Sequence, residues 1–230
     1  MARTHNLTHQ LTHNLGVSIV NGQYPAGTSM PSEAIICEQF DVSRSSTREA
    51  VKMLAAKGMV SSRPKKGITV RPESDWNLFD SDVLSWILQS KPTLGLLKEF
   101  TQVRLAIEPN AAKLAAMNAS PKQLVQIEHS LLRIAEAEEG LDDQLDAHIG
   151  FLNAILQASG NRFFIQFTQF VKAAIRVSIR YTNQTLGVKN TDVSFHAEVF
   201  AAIKSGDDQL AYKLVEDILT EALRLIESRL

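Results

Sequence analysis

The chain has 230 residues, of which 44% are hydrophobic and 21% are charged, and its formal net charge is −1. This composition fits one large or two modest packed domains, and the single cysteine, Cys37, excludes a disulfide within the chain. No apolar run is long enough to span a membrane, and the N-terminus lacks the apolar stretch of a signal peptide. We therefore expect a cytoplasmic protein with no membrane partner.

The small net charge hides an uneven distribution along the chain. Residues 1–72 contain 9 Lys and Arg against 4 Asp and Glu, which leaves 15 against 21 for residues 73–230. A basic first part and an acidic remainder predict phosphate binding by the first part and a different role for the second.

Near the N-terminus, leucines and histidines both recur at every fourth position. The leucines form an apolar stripe, which is typical of an amphipathic helix. The histidines are open to two interpretations, a metal-binding helix face or the solvated side of that helix, and we favour the solvated side. The two sets are Leu7, Leu11 and Leu15, and His5, His9 and His13.

The stretch from Pro31 to Gly58 predicts two short helices joined by a tight turn. Ser32 and Glu33 suit the start of the first helix, where acceptors and negative charge meet free amide groups. Such a pair is a helix-turn-helix, whose second helix presents its N-terminal residues to the major groove of DNA. The expected apolar residues are Ile35, Ile36, Phe40 and Val42 in the first helix and Val51, Leu54 and Ala55 in the second.

The second of these helices carries residues suited to DNA. Arg44 and Arg48 lie one turn apart on one face, where arginine can contact guanine or phosphate and small hydroxyls can contact either. Two short strands, 59–61 and 68–70, are predicted to follow, with lysines at the hairpin tip. The alternative is that these residues are only solvated charges on a small helical domain. The predicted DNA contacts are Ser43, Arg44, Ser45, Ser46, Thr47, Arg48, Lys65, Lys66 and Gly67.

Residues 73–93 are predicted as a linker region with one helix, and we expect Trp76 and Trp86 to pack it against a second domain. From 94 to 230 the pattern is helical, without a phosphate-binding glycine loop, a nucleophile elbow or paired carboxylates, so no enzyme is expected. The fold class is therefore mainly α, with a winged helix-turn-helix in residues 1–72 and an antiparallel helical bundle after residue 93. The predicted helical segments are 94–117, 121–138, 142–158, 161–181, 191–204 and 207–229.

Residues 21–70 resemble the winged-helix domain of GntR-type bacterial regulators. The resemblance implies DNA contact by Arg44, Arg48, the hydroxyl residues between them and the wing around Gly67. One departure is Ala34, where many members carry an arginine that touches DNA, so the operator sequence of other members does not transfer. The motifs are Asn21-Gly22, Pro25-Ala26-Gly27, Met30-Pro31-Ser32-Glu33, Val42-Ser43-Arg44, Arg48-Glu49-Ala50, Gly58-Met59-Val60 and Gly67-Ile68-Thr69-Val70.

The rest of the chain resembles the ligand-binding domain of the FadR branch of that family. The landmarks fall within residues 103–109, 155–161 and 195–207, in the same order and at similar spacing. The stretch from Trp76 to Trp86 is further similar to members that respond to sugar acids such as galactonate or gluconate. The resemblance implies a homodimer that binds an operator as a repressor.

Many members of that branch also hold a divalent metal, through an Asp and a His on one helix and two further histidines on the last two helices. The corresponding positions here are His148, Leu152, His196 and Ile218. A metal site needs several convergent donors, and leucine and isoleucine supply none. We therefore expect no tightly held metal and no cofactor, although His148 offers a substitute donor.

His148 and His196 lie on apolar stripes of their helices, so both are expected to face the interior. They are either hydrogen-bonded core residues or direct contacts to an effector in place of the metal. Arg104 also lies on an inward stripe, and a buried arginine needs an anion. That anion is Glu108, one turn on, or a ligand carboxylate, and we favour the ligand because the resemblance implies the same. Arg176 is a further candidate for effector binding.

These features together predict a sequence-specific DNA-binding transcription regulator. We expect a repressor that a small carboxylate, such as a sugar acid, releases from double-stranded operator DNA. Two alternatives remain open, namely a metal-responsive regulator of the same family and a helical enzyme or scaffold with a DNA-docking domain.

Overall fold

The computed structural model describes residues 2–64, 66–90, 93–138, 140, 143–168 and 193–230. The chain folds as two compact units, Met1–Lys91 and Pro92–Leu230. Within the described residues, no helix is long and apolar enough to cross a membrane. The predicted mainly α class, a winged helix-turn-helix followed by a helical domain, is confirmed.

The first unit contains a helix-turn-helix, a two-stranded wing and two further helices, one before and one after them in the chain. The predicted order of elements is confirmed, but the helix predicted in the linker region packs against the first helix inside this unit. The elements are α1 Ala2–Val20, α2 Glu33–Phe40, α3 Arg44–Ala56, β1 Val60–Arg63, β2 Gly67–Val70, a 3-10 turn Glu73–Asp75 and α4 Ser81–Ser90.

Capping residues fix the turn between α2 and α3. Ser32 caps α2 by accepting from the amide of Ile35, and Ser43 caps α3 by accepting from the amide of Ser46 at 3.1 Å. Between them Asp41 adopts the left-handed conformation, with φ at 49°, which ends α2. A short polar side chain tolerates that conformation, so the chain reverses direction within a few residues.

The core of the first unit lies where α1, α3, the wing and α4 meet. The strands pair antiparallel, with Val60 opposite Val70, and Ser29 adds an isolated bridge to Thr69. Ile36 of α2 is buried as expected, whereas Ile35 is 54% exposed and lies outside the core, contrary to the prediction. The core residues include Leu11, Leu15, Ile19, Ala50, Val51, Leu54, Met59, Val60, Ile68, Val70, Val83, Leu84, Trp86, Ile87 and Leu88.

The second unit is helical throughout its described part, and its helices follow the predicted segments closely. They are α5 Leu94–Asn118, α6 Pro121–Glu138, α7 Gln144–Ala158, α8 Val193–Ser205 and α9 Asp208–Glu227, with residues 162–168 also helical. Helix α5 contacts α7, α8 and α9, and α6 contacts α7 and α8. The core includes Ala111, Ala112, Ala115, Ile127, Ile134, Phe151, Ile155, Leu156, Val199, Phe200, Ile203 and Ala211.

Candidate DNA-reading face and ligand site

The first turns of α3 present a basic and hydroxyl-rich face to solvent. Arg44, Ser45 and Arg48 are exposed, and so is the capping residue Ser43. The hydroxyls of Ser43 and Ser45 lie 2.9 Å apart, so the helix start is held by its own side chains. We name Ser43, Arg44, Ser45 and Arg48 the reading face, because arginine and hydroxyl groups are the donors that base edges and phosphates accept.

Two of the predicted DNA contacts lie on the opposite side of the helix. Ser46 is 3% exposed and Thr47 is fully buried. The Thr47 hydroxyl donates to the Ser43 carbonyl at 3.2 Å and lies 3.1 Å from the Cys37 sulfur, which joins α3 to α2. The prediction that these two hydroxyls touch DNA is corrected, because a buried side chain on the inner face cannot reach a groove.

Arg48 has one acidic neighbour across the helix-turn-helix. Its Nε lies 3.9 Å from a Glu33 carboxylate oxygen, while 68% of the arginine side chain stays exposed. An exposed pair at that distance contributes little to stability. The guanidinium therefore remains accessible to a DNA ligand.

The wing places further basic residues at the surface. Arg63 and Lys66 are exposed, and Gly67 adopts a positive φ of 75° at the hairpin end, which favours glycine. No heavy atom outside its chain neighbours lies within 4 Å of a Cβ built at Gly67, so the tip is open. Lys65, also predicted to contact DNA, lies outside the described residues.

A charged cluster behind α3 was not predicted from the sequence. Lys57 directly follows the last residue of α3. Its ammonium contacts Asp80 at 2.7 and 2.8 Å and Asp82 at 2.8 Å. Burial lowers the pKa of Lys57, but the hydrogen bonds and charges of both aspartates outweigh burial, so the pKa is raised above 10.5. The two aspartates lie 23 and 25 positions from Lys57 in the sequence, and no local pattern indicates such a pairing.

The two tryptophans both make their hydrogen bonds within the first unit. The Trp86 indole donates to His13 Nδ1 at 2.8 Å, and the Trp76 indole donates to the Arg71 carbonyl at 3.1 Å. The sequence predicts that both pack against the second domain, but Trp86 inserts beside Gly16 of α1, where a Cβ would come within 2.2 Å of the ring. The hydrogen bond from Trp86 gives His13 a structural role. The side chain of His5 lies outside the described part of the chain.

In the second unit, Arg104 is paired with Glu108. The Arg104 Nε donates to one carboxylate oxygen at 2.6 Å, and Nη2 donates to the other at 3.1 Å. The Glu108 side chain is 4% exposed and that of Arg104 is 17% exposed. Of the two predicted anions, the structure therefore shows the internal one.

His148 of α7 and His196 of α8 meet in the interior of the same unit. The Nδ1 of His148 lies 3.2 Å from the Nε2 of His196, so one ring donates and the other accepts. His196 is 8% exposed, and its ring packs edge-on to Phe151 and Phe195. Burial, and then the neighbouring His196, lower the pKa of His148 from 6.5 to about 4, so its ring is neutral at pH 7.

The residues at the implied metal positions do not fit a metal. Only two imidazoles are brought together, and Leu152 packs against the apolar core instead of offering a donor. In the part of the chain that the structure describes, no group of three or more His, Cys, Asp or Glu side chains converges as a metal site needs. Ile218 is partly exposed on α9, and Arg176 lies outside the described residues.

Two family models match the chain, one in each of its two units. The model described as bacterial regulatory proteins, gntR family, matches residues 7–70, and the model described as FCD domain matches residues 99–221. The first runs from within α1 to the end of the wing, and so includes the reading face. The second covers most of the helical unit, including Arg104, His148 and His196.

Similar proteins extend over nearly the whole chain. The uncharacterized HTH-type transcriptional regulator YieP of Escherichia coli (strain K12) is 30% identical over 95% of both chains. The galactonate operon transcriptional repressor of the same organism is 29% identical, covering 97% of this chain and 98% of that protein. A solved structure, Streptococcus agalactiae GntR, is 23% identical with a TM-score of 0.52, over 94% of this chain and 99% of that chain. That structural likeness supports the fold alone.

Proposed function

The chain belongs to the GntR family of bacterial regulatory proteins, and we propose that it is a repressor that a small carboxylate effector releases from operator DNA. The chain is a DNA-binding transcription regulator with an FCD domain, and it is not an enzyme. The observation that carries the proposal is the reading face, with two exposed arginines one turn apart on a capped helix beside a basic wing. This function would place the protein in the cytoplasm with the chromosome.

For DNA contact we propose the reading face together with Lys66, Gly67 and Lys65 of the wing. Arg44 and Arg48 would enter the major groove, and the wing would contact the backbone. The proposed form is a homodimer, because a helix-turn-helix dimer reads two half-sites of a pseudopalindromic operator. Ser46 and Thr47 would support this surface from inside by holding α3 on α2.

For the effector we propose a sugar acid. The galactonate operon repressor is similar over nearly the full length of both proteins, which favours a hexonate over an unrelated metabolite. A sugar acid offers one carboxylate and several hydroxyls, so it needs a cation and neutral hydrogen-bonding groups. Arg104, the neutral imidazole of His148 and the neighbouring ring of His196 have these properties, and Arg176 is kept as a further candidate.

The internal ion pair limits how Arg104 can hold a carboxylate. Glu108 occupies the edge formed by Nε and Nη2. A guanidinium has five N–H groups, so the edge formed by Nη1 and Nη2 can still donate twice to a ligand. In this arrangement Glu108 holds the guanidinium while the effector takes the outer edge.

The first experiment compares Arg48→Ala with the control Lys52→Ala, which removes an exposed cation already paired with Glu49 on the same helix. Binding is measured by fluorescence anisotropy on a duplex selected from a random library with the wild-type protein. We expect Arg48→Ala to weaken binding by about 100-fold or more, since each lost base contact costs about 1–3 kcal/mol per protomer. Tight binding by Arg48→Ala would contradict the assignment of the reading face.

The effector site is tested by Arg104→Ala on the same duplex. We expect operator affinity to stay unchanged and release by galactonate or gluconate to be abolished, because the second unit holds the effector. Release that survives in Arg104→Ala would contradict the carboxylate site.

The alternative prediction, a metal-responsive regulator, would have to use His148 and His196, the two donors that the structure brings together at the implied metal positions. Thermal unfolding of the wild-type protein with sugar acids and with divalent metals distinguishes the two, because a ligand that binds only the folded state raises Tm. A shift with one sugar acid supports the carboxylate site, and a shift with metals alone supports the metal-responsive regulator.

A further inference from the structure

Lys57 lies at the point where the reading helix meets the elements that follow it. Its side chain is only 11% exposed, and its ammonium is held by Asp80 and Asp82, which stand at the start of α4. Asp80 also caps α4, since its Oδ1 accepts from the amides of Asp82 and Val83. The lysine therefore joins the end of α3 directly to the residues that start α4.

The same ammonium contacts the residue that anchors α4 to α1. Lys57 Nζ lies 5.7 Å from the centre of the Trp86 ring, within the range of a cation–π interaction. Trp86 in turn is buried against Gly16 and donates a hydrogen bond to His13. One buried cation thus contacts side chains from two parts of the segment after the wing, and through Trp86 it is connected to α1.

Backbone contacts also hold the segment between the wing and α4 against the end of α3. The amide of Asn77 donates to the Lys57 carbonyl at 2.9 Å. Gly58 adopts a φ of 78°, and a Cβ there would come within 2.3 Å of the Asp75 carbonyl oxygen. The chain from the wing to α4 therefore crosses directly over the end of α3, at a distance that only glycine allows.

We propose that Lys57 is a positioning residue that makes α3 and α4 move as one body. Helix α4 is the last helix before the second unit along the chain, so a displacement of α4 reaches the reading face through this lysine. The inference rests on the proposed role of α3 in DNA binding. It assigns the transmission of the effector signal to a charged joint, which we define as Lys57, Asp80 and Asp82.

The test is hydrogen exchange followed by mass spectrometry on the full chain without DNA. Lys57→Met keeps an unbranched side chain that is one atom shorter and removes its charge, and Lys52→Met is the matched control on the exposed side of α3. We expect amides of α4 to exchange about tenfold faster or more in Lys57→Met, while those of α3 and the wing change less than about twofold. Lys52→Met is expected to match the wild type.

Two results would overturn the proposal. If α3, the wing and α4 all exchange faster by the same factor, Lys57 supports only global stability. If α4 exchange does not change, apolar packing alone holds that helix. Should Lys57→Met fail to fold, Asp82→Asn gives the same test, because Asp82 is 55% exposed and its loss leaves the Asp80 contact in place.

A second arm adds the selected duplex. In the wild type, we expect DNA bound at the reading face to protect α4 from exchange, and in Lys57→Met that protection should fall to less than about a third. Equal protection in both proteins would overturn the proposed transmission. A wild-type protein that binds no duplex would instead contradict the proposed function, and the arm without DNA would still decide whether Lys57 joins the two helices.

Discussion

Among the described residues, the buried ion pairs of the two units join residues over different sequence distances. In the first, Lys57 reaches aspartates 23 and 25 positions away, so its ion pairs hold separate elements together. In the second, Arg104 pairs with Glu108 four positions away on the same helix, so that pair joins no two elements. The imidazoles of His148 and His196 do connect two helices, but through one hydrogen bond between two rings and not through an ion pair.

This difference matches the two tasks. A DNA-reading unit must present its arginines in one arrangement. Ion pairs between distant elements restrict the other arrangements that its helices could adopt. A unit that responds to a ligand needs polar groups whose partners can change when the ligand arrives. We therefore expect changes inside the first unit to be more disruptive than matched changes inside the second.

The largest effect is expected where packing in the first unit is tightest. In Gly16→Ala the new methyl group would meet the Trp86 ring and displace it from His13, so we expect a loss of about 2–4 kcal/mol in unfolding free energy. Both tryptophans of the chain lie in this unit, so tryptophan fluorescence in a urea titration reports on it.

The matched change in the second unit is Gly150→Ala. A Cβ there would meet only the end of the Arg133 side chain at 3.5 Å, which is ordinary contact. Alanine in a helix interior is favoured over glycine, so we expect a gain of about 0.5–1 kcal/mol, measured by calorimetry. A neutral Gly16→Ala would show that the first unit is packed more loosely than its contacts indicate.

The second prediction concerns pH and the second unit. The folded-state pKa of His148 is lowered to about 4, so between pH 6.5 and 4 the unfolded chain binds more protons at this residue than the folded one. Its contribution to stability is complete above pH 6.5 and falls as pH decreases to 4, by about 3 kcal/mol at most.

His148→Asn isolates this effect because asparagine keeps a polar group near the Nδ1 position and does not titrate. We expect the unfolding free energy of the wild type to fall more steeply than that of the variant across this window, as followed by far-UV circular dichroism. Parallel pH profiles would contradict a buried neutral imidazole at this position.

The smallest effects compare one helix cap in each unit. Ser43→Ala and Asp207→Ala each remove a side chain that accepts from a helix amide, at the start of α3 and α9, and each should cost about 1 kcal/mol of stability. Operator affinity should fall by about 3–10-fold in Ser43→Ala, because the reading face frays, and should stay unchanged in Asp207→Ala. Equal loss of affinity in both would mean that general stability controls DNA binding.

Much of the fold and part of the site could be predicted from the sequence. Apolar periodicity located the helices of both units, and the serine caps marked the start of α2 and α3. The reading face followed from the spacing of Arg44 and Arg48 on one helical turn. The prediction failed for Ser46 and Thr47, because a run of five residues at a helix start covers more than one face and only packing decides which residues are inside.

The sequence by itself determined the elements and the inward stripes of His148 and His196, because caps, turns and helical periods depend on residues a few positions apart. Tertiary structure alone decided that these two imidazoles bond to each other, that Trp86 inserts beside Gly16 and that Lys57 lies between two aspartates. The hydrogen bonds of Lys57 to Asp80 and of Trp86 to His13, for example, join residues 23 and 73 positions apart. Their partners depend on how the folded elements meet in space, which no local pattern records.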